Sequence, residues 1–495
     1  MGQASVKIRV YSIQCAESVR LLSSQALEMP ACEYEPPPYK GPDYNHIRQV
    51  RGSLLNPALL THFSSPLLIY DGYMQWLFDH TGKRYLDLFG GIVTISIGHC
   101  HPKVVAAATE QINRLWHTTN IYLHPKVHEY AERLTQTLPG DLKVVYFVNS
   151  GSDANDLAMM MARLYTKNFD LVSLRNSYHG ASPYTSGLTA SHTWKYNFAN
   201  GFGIHHAANP DPYNGLWGGH RDSPVQSVRA SESEVVDGVC SSAEKYVRQL
   251  EEICMYSIPK KKLAGFFAES IQGVGGTVQF PLGYLKKAFE LVRSNGGVCI
   301  SDEVQTGFGR TGEHFWGFEG HDVIPDIVTM AKGIGNGFPL AAVVTTPDIA
   351  KTMTGALHFN TFGGNPISSA VGLSVLEVIE EEKIQQNSLE VGTYFLQKLA
   401  KLREDYTIVG DVRGKGLMIG IEMVQDKTNQ TPLNPQTMME IWDACRDLGV
   451  ILGRGGLYGT VFRIKPPMCI THADVDFTIA VLQHVLDETT KKLQI

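Results

Sequence analysis

The chain has 495 residues, with 43 basic and 49 acidic side chains and a formal net charge of −6. Balanced charge without a basic cluster excludes a broad nucleic-acid face, and no apolar stretch approaches the length of a membrane span. The eight cysteines lie far apart with no Cys-x-x-Cys pair, which argues for reduced thiols rather than a disulfide framework or zinc site.

In chain order, residues 1 to about 29 carry Lys7, Arg9 and Arg20 among serines and aliphatics, with acids only at Glu17 and Glu28. That composition matches a mitochondrial presequence. Glu35-Pro-Pro-Pro-Tyr-Lys-Gly-Pro then reads as an extended entry into the fold, so residues 1–43 are a leader or possible transit segment. Short strands are expected within 44–98, at Trp76-Leu-Phe-Asp and from Arg84, turning at His80-Thr-Gly-Lys. His99-Cys-His-Pro is the nearest approach to a metal cluster, and before a helix it reads better as a turn.

From 99 to 367 five apolar runs end alike. Val144-Val-Tyr-Phe-Val enters Asn149-Ser-Gly-Ser-Asp, and Asp170-Leu-Val-Ser-Leu enters Arg175-Asn-Ser-Tyr-His-Gly. Leu263-Ala-Gly-Phe-Phe-Ala enters Glu269-Ser-Ile-Gln-Gly, and Gly297-Val-Cys-Ile-Ser enters Asp302-Glu-Val-Gln-Thr-Gly. Asp326-Ile-Val-Thr-Met-Ala enters Lys332-Gly-Ile-Gly-Asn-Gly. Such runs, separated by helical stretches, predict buried parallel strands, and ligands of open α/β sheets sit beyond the strands' carboxyl ends. A lysine for an imine and a buried carboxylate for a pyridinium nitrogen are the pair that pyridoxal phosphate chemistry requires. Lys332 and Asp302 are the candidates.

Ser150-Gly151-Ser152 is a candidate phosphate cradle, since a helix starting after a strand offers free N–H groups and a positive dipole end. Ala154, Leu157, Ala158, Met161, Ala162 and Tyr165 repeat as one apolar face, and Ser150 with Asp153 resembles a capping box. An ordinary N-cap without a ligand is the alternative. Tyr178 is a candidate to stack on a flat ring, with core packing as its alternative. Residues 221–243, rich in serine and acid, predict a surface insertion. From 368 to 495 a helix over 369–382, a second helix, strands around Gly416-Leu-Met-Ile-Gly-Ile-Glu and a final helix capped by Thr471 with Asp474 are expected.

Asn149-Ser-Gly-Ser-Asp-Ala-Asn, Ser177-Tyr-His-Gly, Asp302-Glu-Val-Gln-Thr-Gly-Phe-Gly-Arg, Ala331-Lys-Gly-Ile-Gly-Asn-Gly-Phe-Pro and Asn360-Thr-Phe-Gly-Gly-Asn-Pro together resemble the class III aminotransferases. Within them the similarity is greatest to a mitochondrial branch acting on alanine and glyoxylate, supported by Gly98-His-Cys-His-Pro and Gly410-Asp-Val-Arg-Gly-Lys-Gly. The resemblance runs from about Tyr39 to near the C-terminus. It implies an α/β, fold-type I architecture: a large, mostly parallel-sheet cofactor domain at 99–367, and a smaller α+β domain built from 44–98 and 368–495.

The resemblance also implies roles. Lys332 would form the imine with pyridoxal 5′-phosphate and shuttle the substrate proton, while Asp302 would keep the ring nitrogen protonated. Gln305 would meet the ring hydroxyl, Gly151 and Ser152 the phosphate, and Tyr178 or His179 the ring face. Thr361 would reach the phosphate of a neighbouring subunit, so a homodimer or homotetramer is expected. Arg463 would hold the substrate carboxylate, and Glu269 of the Glu-x-x-Gln-Gly motif would also bind substrate.

Two departures bear on substrate. Val274 stands where relatives handling ornithine or γ-aminobutyrate carry a glutamate that shields the arginine, and Ala181 where some carry an arginine for a second carboxylate. Ser270 replaces a frequent proline. The expected activity is ping-pong transfer from alanine or a small or β-amino acid to glyoxylate or pyruvate. A same-cofactor aminomutase or decarboxylase is the alternative. A nicotinamide dehydrogenase, suggested by Gly333-x-Gly-x-Gly and Gly453-x-Gly-Gly, lacks the strand–GxGxxG–helix order.

Overall fold

The computed structural model describes residues 27–58, 60–218, 235, 236 and 238–494. Residues 1–26 of the presequence-like segment and most of the serine-rich stretch at 221–243 lie outside the described residues.

A seven-stranded sheet forms the centre. Its spatial order is Val144–Val148, Ala341–Thr345, Ile327–Met330, Val298–Asp302, Leu263–Glu269, Asp170–Leu174 and Ile204–Ala207. The last five pair in parallel. Ala341–Thr345 runs antiparallel to both of its neighbours, and the two reversals leave Val144–Val148 pointing with the parallel set. The five runs legible in the sequence therefore do end at one edge. The reversed strand and Ile204–Ala207 were not anticipated, since both are short and carry no functional residue at their ends.

Both faces of the inner strands are covered, which is why those runs are apolar throughout rather than alternating, whereas Val144–Val148, at the sheet's edge, is half-buried except at Val148. Leu171, Phe267 and Ile300 join the core under the helix Gly151–Thr166. Val172, Phe266 and Cys299 face the other side, with buried residues of the helices Ser241–Tyr256 and Tyr284–Ser294. On Gly151–Thr166 the expected apolar stripe is buried from Ala154 to Ala162, but Tyr165 is exposed. The stripe ends one turn before the helix does.

A second body is assembled from distant parts of the chain. Ile69–Tyr73, Trp76–Asp79 and Arg84–Asp87 form an antiparallel set, and Arg84–Asp87 pairs in parallel with Val450–Ile451. Val409–Lys415, Met418–Asp426, Val461–Ile464 and Gly453–Gly455 form an adjoining antiparallel sheet. The connecting helix begins at Pro366, not 369, because Asn365 caps it by accepting from the Ser368 N–H and proline suits the first helical position. The final helix, His472–Leu493, has the capping box expected of Thr471 and Asp474.

Candidate active site

Strand register alone sets two carboxylates side by side. Asp302 lies opposite Glu269 in one neighbouring strand and Thr329 in the other. Both acids are buried, so each must be satisfied by hydrogen bonds. Asp302 Oδ2 accepts from Asn155 Nδ2 and contacts His179 Nδ1, each at 2.8 Å. Asn155 also donates to the His179 carbonyl at 2.8 Å, and its Oδ1 accepts from Thr329 Oγ1 at 2.8 Å. Glu269 accepts from the N–H groups of Tyr178 at 3.1 Å and Gly273 at 2.6 Å. Burial raises the Glu269 pKa, and the neighbouring His179 is the main opposing influence.

Lys332 opens a short 3-10 turn with φ at 55°, a left-handed conformation that is uncommon outside glycine. The turn is anchored by Ser96 and Ile97, far back in the chain. Asn336 Oδ1 accepts from the N–H groups of Ser96 and Ile97 at 2.9 and 3.1 Å, and Ser96 Oγ donates to the Gly333 carbonyl at 2.8 Å. Burial, with the charge of Arg463 second, lowers the Lys332 pKa to about 8. An amine so shifted has a usable free-base fraction near neutrality and is a competent nucleophile.

Lys332 faces a cavity of about 770 Å³ whose wall includes His62, Tyr178, Val274, Arg454 and Arg463. Tyr178 is braced edge-on by Trp194, with ring centroids 4.9 Å apart. His179 is different. It is buried behind Asp302 against Phe267, so of the two candidates for the ring face only Tyr178 lines the cavity. Arg463 is buried, with Nη1 3.4 Å from the Gly273 carbonyl, Nε without a partner among the described residues, and its guanidinium 5.3 Å from the Phe89 ring centre. Burial pushes its pKa down to about 10, and Glu269 opposes the shift.

The expected phosphate cradle lies alongside. Ser150 Oγ accepts from the Asp153 N–H at 3.1 Å, while the Asp153 carboxylate accepts from Asn149, one residue before the cap, at 3.3 Å. The amides of Gly151 and Ser152 are left without an acceptor among the described residues. A Cβ on Gly151 would lie 3.2 Å from Val304 and 3.8 Å from Ala331, which puts the helix start beside the lysine turn. Amine, carboxylate, ring-sized cavity and helix N-terminus fit a phosphorylated pyridine aldehyde. Gln305 is also buried here, its Oε1 accepting from Lys465 Nζ at 3.1 Å. Thr361 is not brought to this cavity and lies exposed on a loop.

Sequence reasoning missed Asn155, His62 and Lys465. Asn155 left a signal, a polar residue inside an apolar stripe. Lys465 left a weaker one, a lysine ending an apolar strand. Ser270 acquires a role: its Oγ donates to Glu303 at 2.5 Å, and that buried acid also accepts from Thr306 Oγ1 and the Gly317 and Phe318 N–H groups. The histidines near Cys100 part company, His99 bonding Asp87 and His101 Glu382. Gly333 and Gly335 lie in the lysine turn and Gly453 and Gly455 in an edge strand, so neither glycine set opens a dinucleotide-binding helix.

The aminotransferase class-III family matches residues 63–486. The chain is 54% identical over 463 residues to the mitochondrial alanine–glyoxylate aminotransferase 2 of Homo sapiens, covering 93% of this chain and 90% of that protein. It is 48% identical over 460 residues to the mitochondrial alanine–glyoxylate aminotransferase 2 homolog 2 of Arabidopsis thaliana, covering 93% and 91%. Among solved structures, it resembles a Bacillus anthracis aminotransferase at TM-score 0.80 and 30% identity, over 90% of this chain and 98% of that one. It resembles an (S)-enantioselective omega-transaminase from Thermomicrobium roseum equally, at TM-score 0.80 and 30% identity, over 91% and 100%. With its lysine, carboxylates and helix N-terminus gathered at one sheet edge, the chain belongs to the class III aminotransferases, which use pyridoxal 5′-phosphate.

Proposed function

We propose that this aminotransferase takes its amino group from alanine or another small donor, β-amino acids included, and passes it to glyoxylate or pyruvate. Arg463 carries the reading. A Cβ on Gly455 would meet both Arg463 Nε at 2.8 Å and the Val274 carbonyl at 2.9 Å, so Val274 lies beside the guanidinium where a shielding glutamate would otherwise stand. A planar guanidinium with open donors suits two-pronged carboxylate binding. Donor and keto acid each carry a carboxylate next to the reacting carbon, so one arginine serves both half-reactions.

Pyridoxal phosphate supplies the aldehyde and the electron-withdrawing ring. Lys332 holds it and then moves the proton at the substrate carbon. Asp302, oriented by His179 and Asn155, holds the proton at the ring nitrogen. Gly151 and Ser152 would take the phosphate at the helix N-terminus, Tyr178 would cover the ring, and Gln305 would meet its hydroxyl. The relatives' mitochondrial names place the protein in that compartment.

A second copy completes this reading. Thr361 sits in a stretch where Leu357, Phe359 and Phe362 are exposed, and its neighbour Asn360 shares a groove with exposed Leu123. An apolar surface of that kind marks an interface, and Asn360 ties the stretch to the phosphate end, accepting from Asn149 Nδ2 at 2.9 Å. A two-fold dimer would carry each Thr361 to its neighbour's phosphate.

A side-by-side assay of glyoxylate, pyruvate and 2-oxoglutarate with alanine tests the substrate reading. Ala181 supplies no cation, its N–H instead donating to Ser152 Oγ at 3.2 Å. Arg310 is turned away to the carbonyls of Leu417 and Pro466. A second carboxylate must then be buried without a full partner, at a few kcal/mol, and each ~1.4 kcal/mol is tenfold in rate. Glyoxylate and pyruvate should exceed 2-oxoglutarate in kcat/KM by about tenfold or more. Arg454, on the cavity wall and 4.8 Å over Trp442, should support the residual dicarboxylate activity, so Arg454→Ala lowers that and spares glyoxylate. Equal use of 2-oxoglutarate would overturn the substrate assignment. Alanine turnover that ignores keto acid would favour an aminomutase or decarboxylase.

A further inference from the structure

Lys465 is a buried cation with no role in the chemistry described so far. It is fully buried just beyond the strand Val461–Ile464, and its backbone N–H donates to the Leu88 carbonyl at 2.7 Å. Its Nζ lies 3.2 Å from the Gly273 carbonyl and 3.1 Å from Gln305 Oε1. The charges around it are Arg463, Lys332 and Arg310, with Glu269 the opposing carboxylate. Burial first, then Arg463, pushes its pKa well below the ordinary lysine value. An apolar side chain of like length would fill this space without that cost, so the amine calls for an explanation beyond packing.

The hydrogen bonds supply one. A carbonyl only accepts, so one Nζ–H belongs to Gly273 and a second to Gln305 Oε1; an amine has both to give, charged or neutral. With Oε1 engaged, the Gln305 Nε2 and its two donors face away from Lys465. Gly273 also packs directly against the carboxamide. A Cβ there would lie 2.3 Å from Gln305 Oε1 and 2.8 Å from Nε2. The carboxamide is in contact with both the glycine and the amine, and the same Gly273 carbonyl receives Arg463 Nη1.

We propose that Lys465 is a positioning residue that fixes the Gln305 amide with its N–H donors toward the cofactor ring hydroxyl. It braces, through Gly273, the loop carrying the substrate-binding arginine's contact. This rests on the reading that Gln305 meets that hydroxyl.

The test is a titration of full-length apoprotein with pyridoxal 5′-phosphate, followed by tryptophan fluorescence, for wild type, Lys465→Met, Lys465→Gln, Gln305→Ala and the Lys465→Met/Gln305→Ala double variant. The pH at which the bound cofactor's visible absorbance changes is recorded for each. Lys465→Met and Gln305→Ala should each weaken affinity by about tenfold, the weight of one hydrogen bond, and move the absorbance transition in the same direction. The double variant should lose no more than Gln305→Ala alone. Lys465→Gln keeps a neutral donor and should recover most of the loss seen with methionine. Additive losses, or a Lys465→Met protein with native affinity and absorbance, overturn the proposal. Native affinity in Gln305→Ala overturns instead the assignment of Gln305 itself. If circular dichroism shows that Lys465→Met does not fold, Lys465→Gln decides: an affinity closer to wild type than to Gln305→Ala upholds the proposal, and one equal to Gln305→Ala overturns it.

Discussion

Two unfavourable terms coincide at Lys332, a left-handed φ of 55° and an amine whose charge burial opposes. Such strain persists where the surroundings over-determine the backbone, here through Ser96 and Asn336. The pKa of about 8, against 10.5 for a free lysine, has a kinetic consequence. The neutral amine is the nucleophile, and its fraction grows as pH rises through the folded value. Capture of the cofactor aldehyde by apoprotein, followed by stopped-flow absorbance, should rise with pH, reach half its maximum near 8 and level off above that; a rise continuing past pH 10 would sink the assignment. The linked stability effect has a defined sign. The unfolded chain holds its lysine proton between about 8 and 10.5 while the fold releases it, so this group's penalty is full below 8 and fades across that window. At Asp302 the test is Asn. His179 and Asn155 both direct N–H groups at Oδ2, and a neutral amide cannot favour a charged ring nitrogen. Asp302→Asn should retain cofactor and lose turnover by about 10²-fold or more. Unchanged kcat in a folded, loaded variant would remove Asp302 from the chemistry.

Among the elements, the helix Gly151–Thr166 depends on one close approach at its start. Gly180 has φ at 131°, and a Cβ there would stand 2.6 Å from both Ser152 Oγ and Thr185 Oγ1. Gly180→Ala therefore strains its own backbone and displaces Ser152 of the proposed phosphate cradle. The expected loss is about 1–3 kcal/mol of stability, read by thermal unfolding of the apoprotein, together with weaker cofactor binding. A variant with native Tm and native affinity would show that the contact relaxes at no cost.

For the whole molecule, the exposed loop carrying Thr361 predicts a shared site. Lys332→Ala chains mixed with Thr361→Ala chains should form hybrids in which one site keeps its lysine and receives an intact Thr361 from the partner. Activity per such site should exceed that of pure Thr361→Ala protein. Recovery failing in verified hybrids would place Thr361 in its own chain's site.

The local chemistry of this protein was written in the sequence. Apolar runs ending in Asn149, Tyr178, Glu269, Asp302 and Lys332 name the strands and their functional ends, because a strand buried on both faces must be apolar and its carboxyl end is where polar groups can emerge. The capping pairs at Ser150 and Thr471 were legible for the same local reason. What lies across the chain was not. Only the strand register sets Asp302 beside Glu269, only the folded turn turns Tyr178 into the cavity and His179 behind the aspartate, and only packing closes Asn155 onto both. The order that inserts an antiparallel Ala341–Thr345 between two like-directed strands leaves no trace in periodicity, because both pairings satisfy the same apolar run. Lys465 shows the limit most plainly: in the sequence it is one lysine after an apolar strand, and only the fold brings it onto Gln305, 160 residues away.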